Sequence, residues 1–293
     1  MKINSVQLAS LVLFLVSFTS GMAMEDWHLV ENLPSLPSDV KKVIATKTLR
    51  LILDEAEDHP EQLMEPSDRL EDSFKSYITP KFLGGYPKTP LIDTIIFLMV
   101  NGADPNTKNY NGHTTFHLLM FEFLENLIGI DSWHTGLLIV NPVKDFLEHV
   151  ENLALKIKLL QKLGINLNEK FQLPHILRNW PSVWNRNHSF FAREEVFGKF
   201  NVGGPVDKGE MTMAYALLFS LLPIFGRQFR YGIIPESIWS FLALLRDLGM
   251  NFNEKLGFKR SPCEWIQDFI SKHKDKIDQD DVNQFNEFCG SGK

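Results

Sequence analysis

The chain has 293 residues, 44% hydrophobic and 23% charged, with a formal net charge of -6. That length holds one large domain or two small ones, and the composition excludes wholesale disorder. The negative balance argues against a nucleic-acid or anionic-membrane surface, and 2 Cys exclude a disulfide-dense scaffold and a four-Cys zinc site.

Met1-Lys2, an apolar run from Leu8 to Phe18 and the small residues Gly21 and Ala23 have the layout of a secretory signal, with cleavage expected after Ala23. The alternatives are an uncleaved anchor or an N-terminal helix of the fold. The apolar run is shorter than the roughly 20 residues of a membrane span, and no later stretch reaches about 18 apolar residues. The remainder, residues 24–293, is therefore expected to be exported, secreted or periplasmic, with no membrane contact after cleavage.

Leu33 to Asp39 is punctuated by prolines, and Ser38 is the N-cap candidate for a helix over Val40–Glu55. Val40, Val43, Ile44, Leu51 and Ile52 are its apolar positions. Residues 24–65 are read as an N-terminal helical cap. A second helix is expected from near Pro66 to Tyr77, then a break at Gly84-Gly85. A third, Leu91–Val100, is almost wholly apolar and so should be buried. Further helices are expected near 143–163 and 236–248.

Three of these helices share one ending. Asn101-Gly102-Ala103-Asp104-Pro105-Asn106, Leu163-Gly164-Ile165-Asn166-Leu167-Asn168 and Leu248-Gly249-Met250-Asn251-Phe252-Asn253 all place Gly, one further residue, Asx, another residue and Asn in the same order. Gly just past a helix takes the left-handed conformation that stops it, and Asx side chains bond their own backbone two residues on. Three recurrences mark an internal repeat.

Asn101 to Met120 resembles a junction of the ankyrin repeat family: a Gly-Ala-Asp-x-Asn turn followed by Gly112-His113-Thr114-Thr115-Phe116-His117, with Thr115 and Phe116 where that family has Pro and Leu. Arg260-Ser261-Pro262-Cys263 keeps the Ser/Thr-Pro helix start, while Gly209 to Ala214 keeps little beyond its Gly. The resemblance implies an all-α, ankyrin-type helical solenoid over residues 66–293, with helix pairs at 66–100, 113–163, 211–248 and 262–288. It also implies that His117 is a structural residue bonding neighbouring loops. The glycines lie 62 residues (102 to 164) and 85 residues (164 to 249) apart, against a family period of about 33. The excess is assigned to insertions near 129–142 and 171–208. The second holds Trp180, Trp184, Phe190, Phe191, Phe197 and Phe200. A fainter resemblance, Leu36-Pro37-Ser38-Asp39-Val40 onward, is to the opening of an F-box-like helix, whose family docks onto a ubiquitin-ligase adaptor.

The candidate chemistry is sparse. His113 and His117 have the i, i+4 spacing of a metal pair but lack the Glu of the protease motif. There is no nucleophile elbow and no phosphate loop. Asp54, Glu55, Glu57 and Asp58 read as a solvated helix end, and Arg227, Arg230, Lys259 and Arg260 form a modest basic grouping. Asn187-His188-Ser189 fits a glycosylation acceptor. Cys263 and Cys289 fall at opposite ends of two successive expected helices, where a hairpin could pair them as a disulfide or leave them as separate thiols.

The expectation is a non-catalytic, monomeric interaction module, so no catalytic, cofactor or metal residues are assigned. It would bind a protein partner, and no nucleic acid, through a concave face and the loop tips Asp104–Asn111, Asn166–Phe171 and Asn251–Phe258. The alternatives are an F-box-like adaptor acting through residues 33–58, or an enzyme using Arg193, Glu194 and Glu195 in the 171–208 insertion.

Overall fold

The computed structural model describes residues 30, 32–59, 62–63, 82–83, 86–87, 91–132, 142–172, 210–217, 236–255, 260–272 and 279–290. It is mostly helical. The extended pairing among these residues consists of two antiparallel ladders of two residues each, β1 (Phe82–Leu83) with β2 (Tyr86–Pro87) and β3 (Phe171–Gln172) with β4 (Glu210–Met211). The chain divides into two units, Met1–Tyr110 and Asn111–Lys293.

In the first unit a 3-10 turn, Leu33–Ser35, leads into α1, Ser38–Asp58. Ser38 does not cap this helix. Pro37 takes that position with φ -56 and ψ 145, and its carbonyl accepts the first helical bond, from the Lys41 N–H at 2.8 Å. The ring of Pro37 presets the entry angle, so no side-chain cap is required. Ile44, Ala45, Thr48, Leu49, Ile52, Leu53 and Ala56 are buried along one stripe, spaced as one helix face. Val43 falls off that stripe and is exposed. The stripe packs against α2, Leu91–Val100, buried over every residue but the last. The helix that precedes Gly102 is thus paired with α1. The expected partner segment from 66 to 77 lies outside the described residues.

In the second unit α3 spans Thr115–Ser132 and α4 spans Pro142–Lys162. The helix of α3 continues into the segment read from sequence as an insertion beginning near 129. Residues 213–217 form a helical start, followed by α5, Glu236–Asp247, α6, Pro262–Lys272, and α7, Gln279–Gly290. The helix α4 packs on α3, α5 packs on α4, and α7 packs on both α5 and α6. Phenylalanine pairs add to this packing, Phe123 of α3 against Phe241 of α5 at 5.0 Å between ring centres and Phe252 of the turn after α5 against Phe288 of α7 at 4.9 Å. Among the described residues no helix is long and apolar enough to cross a membrane.

Candidate functional site

The three repeated endings are built alike. Each glycine has a positive φ, +99° at Gly102, +94° at Gly164 and +102° at Gly249, where a side chain would strain the backbone. Each turn then closes with the same two bonds. Gly102 N–H donates to Met99 O and Ala103 N–H to Leu98 O. Gly164 N–H donates to Gln161 O and Ile165 N–H to Leu160 O. Gly249 N–H donates to Arg246 O and Met250 N–H to Leu245 O. This double closure satisfies carbonyls that a helix end leaves open.

The Asx residue locks the next step. Asp104 Oδ1 accepts from Asn106 N–H at 2.9 Å, Asn166 Oδ1 from Asn168 N–H at 3.0 Å, and Asn251 Oδ1 from Asn253 N–H at 2.9 Å. Ala103, Ile165 and Met250 point inward and are buried, as are Leu167 and Phe252. Asp104, Asn166, Asn251 and Asn253 stay exposed. In the second and third tips, buried apolar residues alternate with polar ones that face outward.

Longer-range bonds tie each turn to its neighbours within a unit. In the first unit α1 runs alongside the turn. Asp104 N–H donates to Thr46 Oγ1 at 3.2 Å, Arg50 Nε to Lys108 O at 3.0 Å, and Tyr110 N–H to Asp54 Oδ1 at 2.8 Å. Asn109 Nδ2 donates to Leu53 O and to Glu57. Asp54 and Glu57, expected to be solvated, instead receive this loop. Burial pushes the Asp54 carboxyl above the ordinary aspartate value, and Glu57 adds to the rise, against the opposing Tyr110 bond and Arg50 charge.

In the second unit Asn168 spans to the third turn. Its Nδ2 donates to Gly249 O at 2.8 Å and its Oδ1 accepts from Asn251 N–H at 2.7 Å. Thr114 and His117 form a reciprocal cap at the start of α3. Thr114 N–H donates to His117 Nδ1 at 3.1 Å and His117 N–H reaches Thr114 Oγ1 at 3.5 Å. His117 Nε2 lies 3.1 Å from Glu169 O on the second turn. Ser261 and Glu264 form the corresponding box at α6, with Ser261 N–H donating to Glu264 Oε2 at 2.9 Å and Glu264 N–H to Ser261 Oγ at 3.2 Å. The Lys255 ammonium bonded to Glu264, and the Ser261 N–H, hold that carboxyl below its ordinary value.

Tyr215 is the residue that sequence inspection missed. Its hydroxyl lies 3.0 Å from Glu254 O and 2.9 Å from Arg260 O. Glu254 follows Gly249 by five residues, as Glu169 follows Gly164. Tyr215 therefore holds the third turn as His117 holds the second. The signal was available in spacing: Thr212 precedes Tyr215 by three residues, as Thr114 precedes His117. Matching on residue type hid it, because a phenol and an imidazole do the same work here.

Gly112 has φ +85° just before the buried His113. His113 contacts Phe121 and Phe171 edge-on, with ring centres 4.9 and 6.2 Å apart. Cys263 and Cys289 form a disulfide with Cα atoms 5.8 Å apart, joining the start of α6 to the end of α7. Arg260 pairs with Asp268 and lies over the Trp265 ring, so it does not add to a basic patch. Arg193, Glu194, Glu195, Asn187, Arg227, Arg230, residues 1–23 and the far end of the third tip, 256–259, lie outside the described residues. Among the described residues, no group of three or more His, Cys, Asp or Glu side chains is placed to hold a metal ion.

The exposed surface of the first tip carries one large aromatic. Tyr110 is 81% exposed, although its backbone is pinned to α1. Comparison of the chain with protein-family models, curated proteins and solved structures finds no match.

Proposed function

We propose that this chain is an exported, non-catalytic interaction module made of divergent ankyrin-type repeats, which binds a protein partner through its turn tips. The observation that carries this reading is the shared construction of the three turns. Each buries the apolar residue that follows its glycine, bonds its own backbone and leaves an exposed Asx side chain at the same position. Rigid tips bind with little ordering cost, which is what a recognition surface needs. Tyr110 supports the first tip as an anchor, since exposed tyrosine on a preorganised backbone is the kind of side chain that dominates interfaces. The Cys263–Cys289 disulfide supports passage through an oxidising compartment.

The test is capture with the purified chain, identification of the bound protein, and remeasurement with that protein purified. Tyr110→Ala is expected to weaken binding about tenfold or more, the loss of one interface anchor. Binding unaffected by Tyr110→Ala and by changes at Asn166 and Asn251 would remove the tips from the interface. Turnover of a substrate without any captured partner would overturn the reading.

A further inference from the structure

The imidazole of His117 is fully buried and both of its nitrogens face backbone groups. Glu169 O can only accept, so Nε2 carries a hydrogen. Thr114 N–H can only donate, so Nδ1 is bare. The two contacts together require the neutral ring in a single tautomer. A proton added at Nδ1 would confront the Thr114 N–H and leave that buried donor without its acceptor. Thr114 Oγ1, 3.3 Å from Nδ1, could offer that proton only a long contact on its second lone pair, which does not restore the acceptor lost by the Thr114 N–H. The cation would also lie in the first turn of α3, beside the positive end of the helix dipole. Its ring contacts among the described residues include Phe116, Phe121, Phe171 and His113.

The matching joint one turn later is held by the Tyr215 hydroxyl. A phenol, with an ordinary pKa near 10, has no charge to gain on acidification. Two joints of the same design therefore differ in one chemical property.

We propose that the His117 joint is an acid-labile latch: mild acid protonates the ring and releases the turn at Glu169–Phe171 from the start of α3, while the Tyr215 joint stays closed. The sign follows from the required neutral ring. A free imidazole takes its proton near pH 6.5, so the folded joint, which excludes that proton, loses stability as pH falls below this value. Titratable residues on the surrounding elements include His113 before α3, Glu122 on α3, Glu169 and Lys170 on the turn, Glu210 across the β3–β4 ladder, and His149, Glu151, the buried Lys156, Lys158 and Lys162 on α4. His113, the histidine in ring contact with His117, is the control. The inference does not depend on the proposed partner binding.

Amide hydrogen exchange of the full chain at pH 7 and pH 5, corrected for intrinsic rates, tests it. Protection at 114–118 and 165–171 is expected to fall about tenfold or more at pH 5, one joint's worth of free energy, while 250–254 is unchanged. His117→Gln supplies an untitratable amide that donates to Glu169 O and accepts from Thr114 N–H, as Gln does in a capping box. It should abolish the pH effect, and His113→Gln should leave it intact. Should His117→Gln not fold, ring nitrogen shifts of His117 in the unaltered chain are expected to show the Nε2–H tautomer at pH 7. The proposal is overturned by pH-independent protection, by equal loosening of both turns, by a pH effect that survives His117→Gln or vanishes in His113→Gln, or by the opposite tautomer.

Discussion

Tyr215 and Gly249 show how much a single residue carries at these turns. Tyr215 is fully buried, and its hydroxyl is the group that faces the carbonyls of Glu254 and Arg260. Tyr215→Phe keeps the ring and deletes the donor. It is expected to cost about 1–3 kcal/mol, because the carbonyls it served lose their partner; equilibrium denaturation measures the loss. Gly249 separates backbone from packing. A Cβ placed there meets nothing within 4 Å, yet φ is +102°. Gly249→Ala should therefore cost about 1–2 kcal/mol through the backbone alone. Asn in that position should recover part of it, since Asn tolerates positive φ better than Ala. An unchanged denaturation midpoint in the alanine variant would show that the turn relaxes to a different conformation.

At the scale of elements, α1 is a helix recruited by a loop. Its buried stripe serves α2, while Thr46, Arg50, Leu53, Asp54 and Glu57 receive the turn that follows α2. The Asp54 carboxyl is raised chiefly by burial. The folded state then holds its proton more tightly than the unfolded chain, so stability declines as pH rises from the unfolded aspartate value through the raised one. Asp54→Asn retains an oxygen for the Tyr110 N–H and removes the charge. It is expected to flatten this acid-range slope and to match or exceed the parent's stability at pH 7, measured by denaturation across pH 3–7. Glu264 at the cap of α6 has the opposite sign. Held low by Lys255 and Ser261, it contributes above the ordinary glutamate value and loses that contribution as pH falls through its lowered one.

For the molecule, the C-terminal helices are closed by covalent chemistry. The helices α6 and α7 are short, 11 and 12 residues, and helices of that length are marginal without tertiary support. The Cys263–Cys289 bridge closes a loop with a sequence separation of 26. Removing it by Cys263→Ala with Cys289→Ala is expected to cost about 3–4 kcal/mol in the chain-entropy account. Denaturation of the parent with and without reductant should give a loss of the same size. The contacts around the bridge, Phe252 against Phe288 and Arg246 donating to Phe288 O at 2.9 Å, should loosen with it.

The residue pattern alone determined the turns and most of the helix ends, because those interactions are local. Gly249 stops α5 through bonds reaching three and five residues back, and Asn251 bonds the backbone two residues on. A continuous apolar run likewise marked Leu91–Val100 for burial before any packing partner was visible. Tertiary structure decided what joins distant segments. Asn168 could be seen as a turn residue, but not as the clamp on Gly249 and Asn251, 81 and 83 residues away. The acidic end of α1 gave no hint that a loop more than 50 residues later would settle on it. Pairing of the two cysteines also stayed open until α6 and α7 were placed side by side. The reason is physical: a local hydrogen bond needs only its own few dihedral angles, whereas a long-range partner is selected by how the whole unit packs.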